Sequence, residues 1–231
     1  MTGAPYCGIW KQDRFIIVCA SPERFIKKNG SILTTQPMKG TARRGGSEEE
    51  DALLCRQLME SPKERSELFM TVDVARNDLS RIAKRNSVKT EGLCEILTFP
   101  HIHQMISTIS CVCRDNISTE EILKSVFPPA SMTGAPKQRA MQLIEQYELG
   151  SRGFYSGCLG WIDEAGNFDT CVVIRSLVYD IITGNLSFHV GSAITAGCNP
   201  EKEWEECLLK ANALLCSAST SLEQVIFHSE I

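Results

Sequence analysis

The chain has 231 residues, 43% of them hydrophobic and 23% charged, which suits a globular protein with a substantial core. A net charge of −4, with no basic patch interleaved with aromatics, argues against nucleic acid as a partner. No apolar run approaches the roughly 18–20 residues of a membrane helix and no secretory leader opens the chain, so a cytoplasmic protein with no membrane partner is expected.

In chain order, strands are predicted at Phe15–Ala20, Arg24–Lys27 and Ser31–Gln36, the last after an Asn29-Gly30 turn. Residues 40–47, rich in glycine and arginine, read as a mobile loop, and Glu48–Met59 as a helix. Ser61-Pro62-Lys63-Glu64 marks a second helix start: a serine cap, proline in the first turn and a glutamate to close a capping box. Leu68, Val72, Ala75, Leu79 and Ile82 then recur at helical spacing to about residue 84. Strands follow at 87–97 and 104–113, helices at 118–126 and 136–148, strands at 155–162, 168–179 and 185–190, and a last helix at 200–216. This clumped order favours an α+β fold with largely antiparallel sheets and helices packed outside. One domain is expected over 1–216, with an irregular tail over 217–231. The eleven cysteines stand singly except for Cys111-x-Cys113, mostly in apolar runs, so reduced core thiols are expected and zinc is not indicated.

Five segments carry candidate chemistry. Lys39, in Pro37-Met38-Lys39-Gly40-Thr41, follows a strand. Packed walls there would desolvate its amine and make it a nucleophile, whereas a lysine before glycine is otherwise an ordinary solvated turn residue. Glu64 and Glu67 share one helix face, as do Glu203 and Glu206, with Lys210 one turn further on. Facing each other, the two pairs would offer hard oxygen ligands to Mg2+; singly, such pairs are routine on solvated helices. Ser131, Thr133 and Gly134 precede a helix begun by Pro136, where free N–H groups would receive a carboxylate unless the hydroxyls merely cap the helix. Arg175 is placed in a strand interior between Val173 and Leu177, as a carboxylate clamp. The small-residue loop from Gly191 to Gly197 allows close backbone approach to a ligand.

Together with Ser21-Pro22-Glu23-Arg24-Phe25 and Val72–Leu79, these segments resemble, in order and over nearly the whole chain, the chorismate-utilising enzymes. The lysine of Pro37–Thr41 is similar to that of aminodeoxychorismate synthase component I; the anthranilate enzymes resembling this chain carry alanine there. The resemblance implies amination of chorismate to 4-amino-4-deoxychorismate, with Lys39 attacking the ring and ammonia then displacing it. It implies Mg2+ on Glu67 and Glu206, with Glu64 and Glu203 acting through waters, and substrate carboxylates near Arg175, Tyr155, Lys210 and Gly191. It also implies a glutamine amidotransferase subunit as the source of ammonia. The alternatives are an anthranilate or isochorismate synthase reaction, which Lys39 opposes, or a truncated chain without catalysis.

Three features depart from the family pattern. Gln104 stands where the family often has histidine, and His103, one residue earlier, must face the other way on a strand. The loop reads Gly191-Ser192-Ala193 instead of a glycine-richer sequence. The family's proteins are about twice this length, so the domain is expected to be incomplete at its N-terminus, with an open, apolar sheet face where further strands would pack.

Overall fold

The computed structural model describes residues 4–100 and 102–217. Among these residues, two antiparallel sheets and five α-helices follow the expected α+β plan. The smaller sheet holds β1 (Tyr6–Gln12), β2 (Phe15–Ser21), β10 (Ser176–Asp180) and β11 (Leu186–Ser187), in that order. The larger sheet runs β5 (Met38–Arg43), β7 (Ile102–Val112), β4 (Ile32–Thr35), β3 (Arg24–Asn29), β9 (Phe168–Val172) and β8 (Cys158–Ile162). A further strand, β6 (Lys89–Thr98), pairs with the long β7.

The helices are α1 (Glu48–Glu60), α2 (Pro62–Ser80), α3 (Thr119–Val126), α4 (Lys137–Tyr147) and α5 (Pro200–Ser217). The periodic residues of α2 form the core as expected: Leu68, Val72, Ala75 and Leu79 pack with Met105 and Ile109 of β7. Ile82, just beyond the helix end, joins the same core. A full capping box opens α3, where Ser118 and Glu121 bond each other's backbone N–H.

Several expectations are corrected. The segment 40–47 is not all loop, because β5 runs to Arg43 and pairs with β7. Tyr6–Gln12 is a strand that its mixed composition hid; its side chains are mostly exposed, so no clean alternation marks it. The strand expected over 168–179 is two strands in different sheets, and that expected over 185–190 shrinks to Leu186–Ser187. The expected tail lies, beyond Ser217, outside the described residues. The outward face of the smaller sheet is open and apolar, with Ile9, Val18, Tyr179 and Leu186 exposed, Ile9 to 75%. All eleven cysteines are free, and no helix among the described residues is long and apolar enough to cross a membrane.

Candidate active site

The local fold first explains how α2 presents its glutamates. Ser61 caps α2 by accepting from the Glu64 N–H at 3.4 Å, but its own N–H donates to the Leu58 carbonyl at the end of α1. The expected capping box therefore does not close, and the Glu64 carboxylate is released from that task to face the interior.

It faces a strand bent to receive it. Lys39 pairs with Met105 and Thr41 with Gln104, so Gly40 is an extra residue, a bulge at φ +77°. A Cβ on Gly40 would stand 2.9 Å from the side-chain ends Glu64 Oε2 and Leu58 Cδ1 and 3.1 Å from Glu64 Cβ, so these side chains would have to give way, and the positive φ itself favours glycine. Gly40→Ala is expected to cost about 1–3 kcal/mol, combining backbone strain with this clash, and urea denaturation would measure it.

On the same strand face as Met105, Lys39 reaches Glu67 of α2, Nζ to Oε2 3.8 Å. Lys63 Nζ lies 2.9 Å from Glu203 Oε1 on α5 and 4.0 Å from Glu67 Oε1, so the two acidic helix faces do converge. Glu203 is 4% exposed and also accepts from the Ser192 hydroxyl; these contacts, Ser192 first, draw its carboxyl below the usual glutamate range. Burial, and then the neighbouring Glu67 charge, pushes the Glu64 carboxyl upward. Four carboxylates are the hard donors that suit Mg2+. Their side chains are nevertheless spread onto lysine ammoniums, and no group of three forms a ready metal shell among the described residues.

A second set of groups gathers where strands change sheets. β2 of the smaller sheet passes into β3 of the larger through Pro22-Glu23, and β9 returns to β10 through Val173–Arg175. The two crossings are tied side by side, the Val172 N–H donating to the Glu23 carbonyl and the Ala20 N–H to the Arg175 carbonyl. Arg175 is thus not in a strand interior; it sits at the break with φ +52°, because the chain must leave one sheet for the other. Its guanidinium forms no ion pair within 4 Å among the described residues, although burial penalises its charge. A part-buried arginine in that position is open to an anionic ligand.

Glu23, which the sequence reading did not single out, is 5% exposed at this corner. Burial pushes its carboxyl up to about 7, against the opposing pull of Ser131, Lys39 and Arg175. The buried Ser131 hydroxyl lies against it without a well-formed hydrogen bond. The available signal was a carboxylate directly after proline between two apolar strand runs, where no solvated face is on offer.

The opposite wall joins the remaining expected residues. Lys210 bonds Glu206 at 2.5 Å and donates to the Gly191 carbonyl at 2.8 Å. Tyr155 Oη packs on Gly191 so closely that a Cβ there would come within 2.8 Å, and its ring stacks on His189. The Arg175 charge acts on both Tyr155 and Glu206, which links this wall to the corner.

Thr133 and Gly134 stand apart from these contacts. The Thr133 hydroxyl donates to the Pro129 and Ala130 carbonyls, and α4 starts after Pro136 with no side-chain cap, so the alternative that the hydroxyls merely cap this helix does not hold. Lys137 of α4 is instead fastened to buried Asp78 of α2 at 2.7 Å, which pins the segment to the core. His103 and Gln104 face opposite ways as expected: His103 bonds Asp51 and Thr98, while the Gln104 Oε1 is buried without a partner.

Residues 2–216 match the family described as chorismate binding enzyme. The chain is 38% identical to anthranilate synthase component 1 of Aquifex aeolicus (strain VF5) over 212 residues, covering 92% of this chain and 42% of that protein. It is also 38% identical to the aminodeoxychorismate synthase of Streptomyces griseus, over 92% of this chain and 29% of that protein. The crystal structure of anthranilate synthase component I from Streptococcus pneumoniae TIGR4 superposes with a TM-score of 0.80 at 27% identity, over 92% of this chain and 46% of that one. The chain spans less than half the length of each of these proteins.

Proposed function

Since the chain belongs to the family of chorismate-binding enzymes, we propose that it aminates chorismate to 4-amino-4-deoxychorismate, on the route to para-aminobenzoate and folate. The observation that carries this reading is Lys39, an amine held 3.8 Å from Glu67 of the acidic cluster and near enough to buried Glu23 to act on its charge. An amination by covalent relay needs a nucleophilic amine, an acid for the leaving hydroxyl and cationic groups for the substrate carboxylates, and Lys39, Glu23 and Arg175 support the reading as candidates for these roles.

In the first step Lys39, once it has given up a proton, forms a bond from its nitrogen to the ring while the bond from C4 to its hydroxyl breaks. Glu23, titrating at about 7, donates the proton that lets this oxygen leave as water. Ammonia then bonds at C4, the ring double bonds return, and Lys39 departs as the amine; the sum is chorismate and ammonia giving aminodeoxychorismate and water. Arg175 and Lys210, with the Gly191 backbone and Tyr155, orient the two carboxylates. Glu67 and Glu206, aided by Glu64 and Glu203, would hold Mg2+, which when bound neutralises a substrate carboxylate and polarises the ring for loss of its hydroxyl.

Ammonia is supplied, on this reading, by a glutamine amidotransferase partner subunit. A cytoplasmic setting agrees with the eleven free thiols. The competing reading, amination at the ortho position or isomerisation to isochorismate, draws on the anthranilate synthase relatives, and Lys39 speaks against it. Incubating the chain with chorismate, Mg2+ and ammonium should give a product with the mass and ultraviolet spectrum of 4-amino-4-deoxychorismate. Anthranilate with released pyruvate, or isochorismate, would overturn the proposal.

A further inference from the structure

We infer that Lys63 is a tethered cation that neutralises one carboxylate from each metal-binding pair, Glu67 and Glu203, and must swing out when a divalent ion enters; this rests on the Mg2+ reading above. Three ammoniums lie among the four carboxylates, and they are not equivalent. Lys39 and Lys210 have side chains only 20% and 21% exposed; Lys39 belongs to β5, and Lys210 is also tied to the Gly191 carbonyl. Lys63 is 54% exposed, and its ammonium meets carboxylates alone, Glu203 at 2.9 Å and Glu67 at 4.0 Å.

Its place is on the seam between α2 and α5, bridging a carboxylate from each. Glu67 and Glu203, both mostly buried, would repel one another there without a positive charge between them. A divalent ion on Glu67 and Glu206, with Glu203 reaching it through water, would draw on both carboxylates that Lys63 holds, and an ammonium and a divalent cation on the same carboxylates repel strongly. Lys63 alone can leave without unburying a long apolar stem, because half of it is already in water. Lys63 is therefore a positioning residue. It keeps the two carboxylates facing each other in the metal-free protein and weakens the binding of free Mg2+, so that occupancy awaits the extra ligand a substrate carboxylate supplies.

The test is calorimetric titration of the whole chain with Mg2+ alone, for wild type, Lys63→Met and Lys202→Met. Lys202 lies on α5 and is exposed, so its substitution removes the same charge from the surface. Lys63→Met is expected to bind Mg2+ about tenfold tighter than wild type, with Lys202→Met within about twofold of wild type because solvent screens it. Thermal melting adds a reading that a merely structural lysine would not move. Lys63→Met should melt below wild type without metal, and saturating Mg2+ should close that gap. Equal affinities for wild type and Lys63→Met, or a gap that Mg2+ leaves open, would overturn the inference while leaving the metal site standing. If chorismate does not bring Mg2+ onto either protein, the metal reading itself fails and takes the inference with it.

Discussion

Replacing Lys39 by alanine is expected to lower formation of aminodeoxychorismate on the order of a thousandfold or more, because a covalent relay without its nucleophile loses the step itself. Chorismate affinity should stay within about threefold of wild type, since Arg175, Lys210 and the metal-binding carboxylates do most of the holding. Lys39→Arg separates charge from chemistry. A guanidinium keeps the pairing with Glu67 but does not shed its proton, so it should preserve binding and remain as inactive as alanine. Product assay by mass together with equilibrium dialysis of chorismate decides the matter. If alanine abolishes binding and arginine restores it, Lys39 is an anchoring charge. If alanine leaves turnover unchanged, the reaction is one of the other two chorismate conversions.

How much of this could be read from the sequence depends on whether a feature was local or came from a change of sheet. The face of α2 was legible because a single periodic run, Leu68 to Ile82, defines it, and its packing on β7 then fixes where Glu64 and Glu67 point. Spacing put each acidic pair on one helix face but only the resemblance implied that the two meet; Lys63, within reach of both Glu67 and Glu203, links one carboxylate of each pair. Arg175 was misplaced for a physical reason: Val172-Val173-Ile174 and Ser176-Leu177-Val178 are both β-rich, so pattern alone joins them. The chain breaks there because β9 pairs with β3 and β10 with β2, a choice made by partners more than a hundred residues away. Glu23 was missed for the same reason. Only the neighbouring crossing from β9 to β10, with the seat of Ser131, buries its carboxyl. Lys210 was legible as an i,i+4 partner of Glu206, but the ion pairs of Lys39 and Lys63 could not be foreseen, since contacts between α2, β5 and α5 depend on tertiary packing.

That burial sets the second large expectation, Glu23→Gln. The Glu23 carboxyl titrates at about 7 in the fold against 4.5 for an ordinary glutamate, so between those values the native protein binds more protons than the unfolded chain. Stability from this group is therefore fully present below about pH 4.5 and is lost as pH rises through about 7. Glutamine keeps the shape and never ionises. It should match wild type near pH 4 and exceed it at pH 8 by up to roughly 3 kcal/mol, a gain that melting curves at the two pH values would show. The same substitution removes the acid for the leaving hydroxyl, and amination should fall by about 10²–10⁴-fold. In wild type the rate should decline above about pH 7 as Glu23 ionises, and the residual rate of the variant should lack that limb. A more stable, nearly inactive protein is thus the expected result, because the site keeps a carboxyl where a neutral amide would be more comfortable. A variant that gains stability at pH 8 yet turns over at the wild-type rate would leave Glu23 buried but take it out of the reaction.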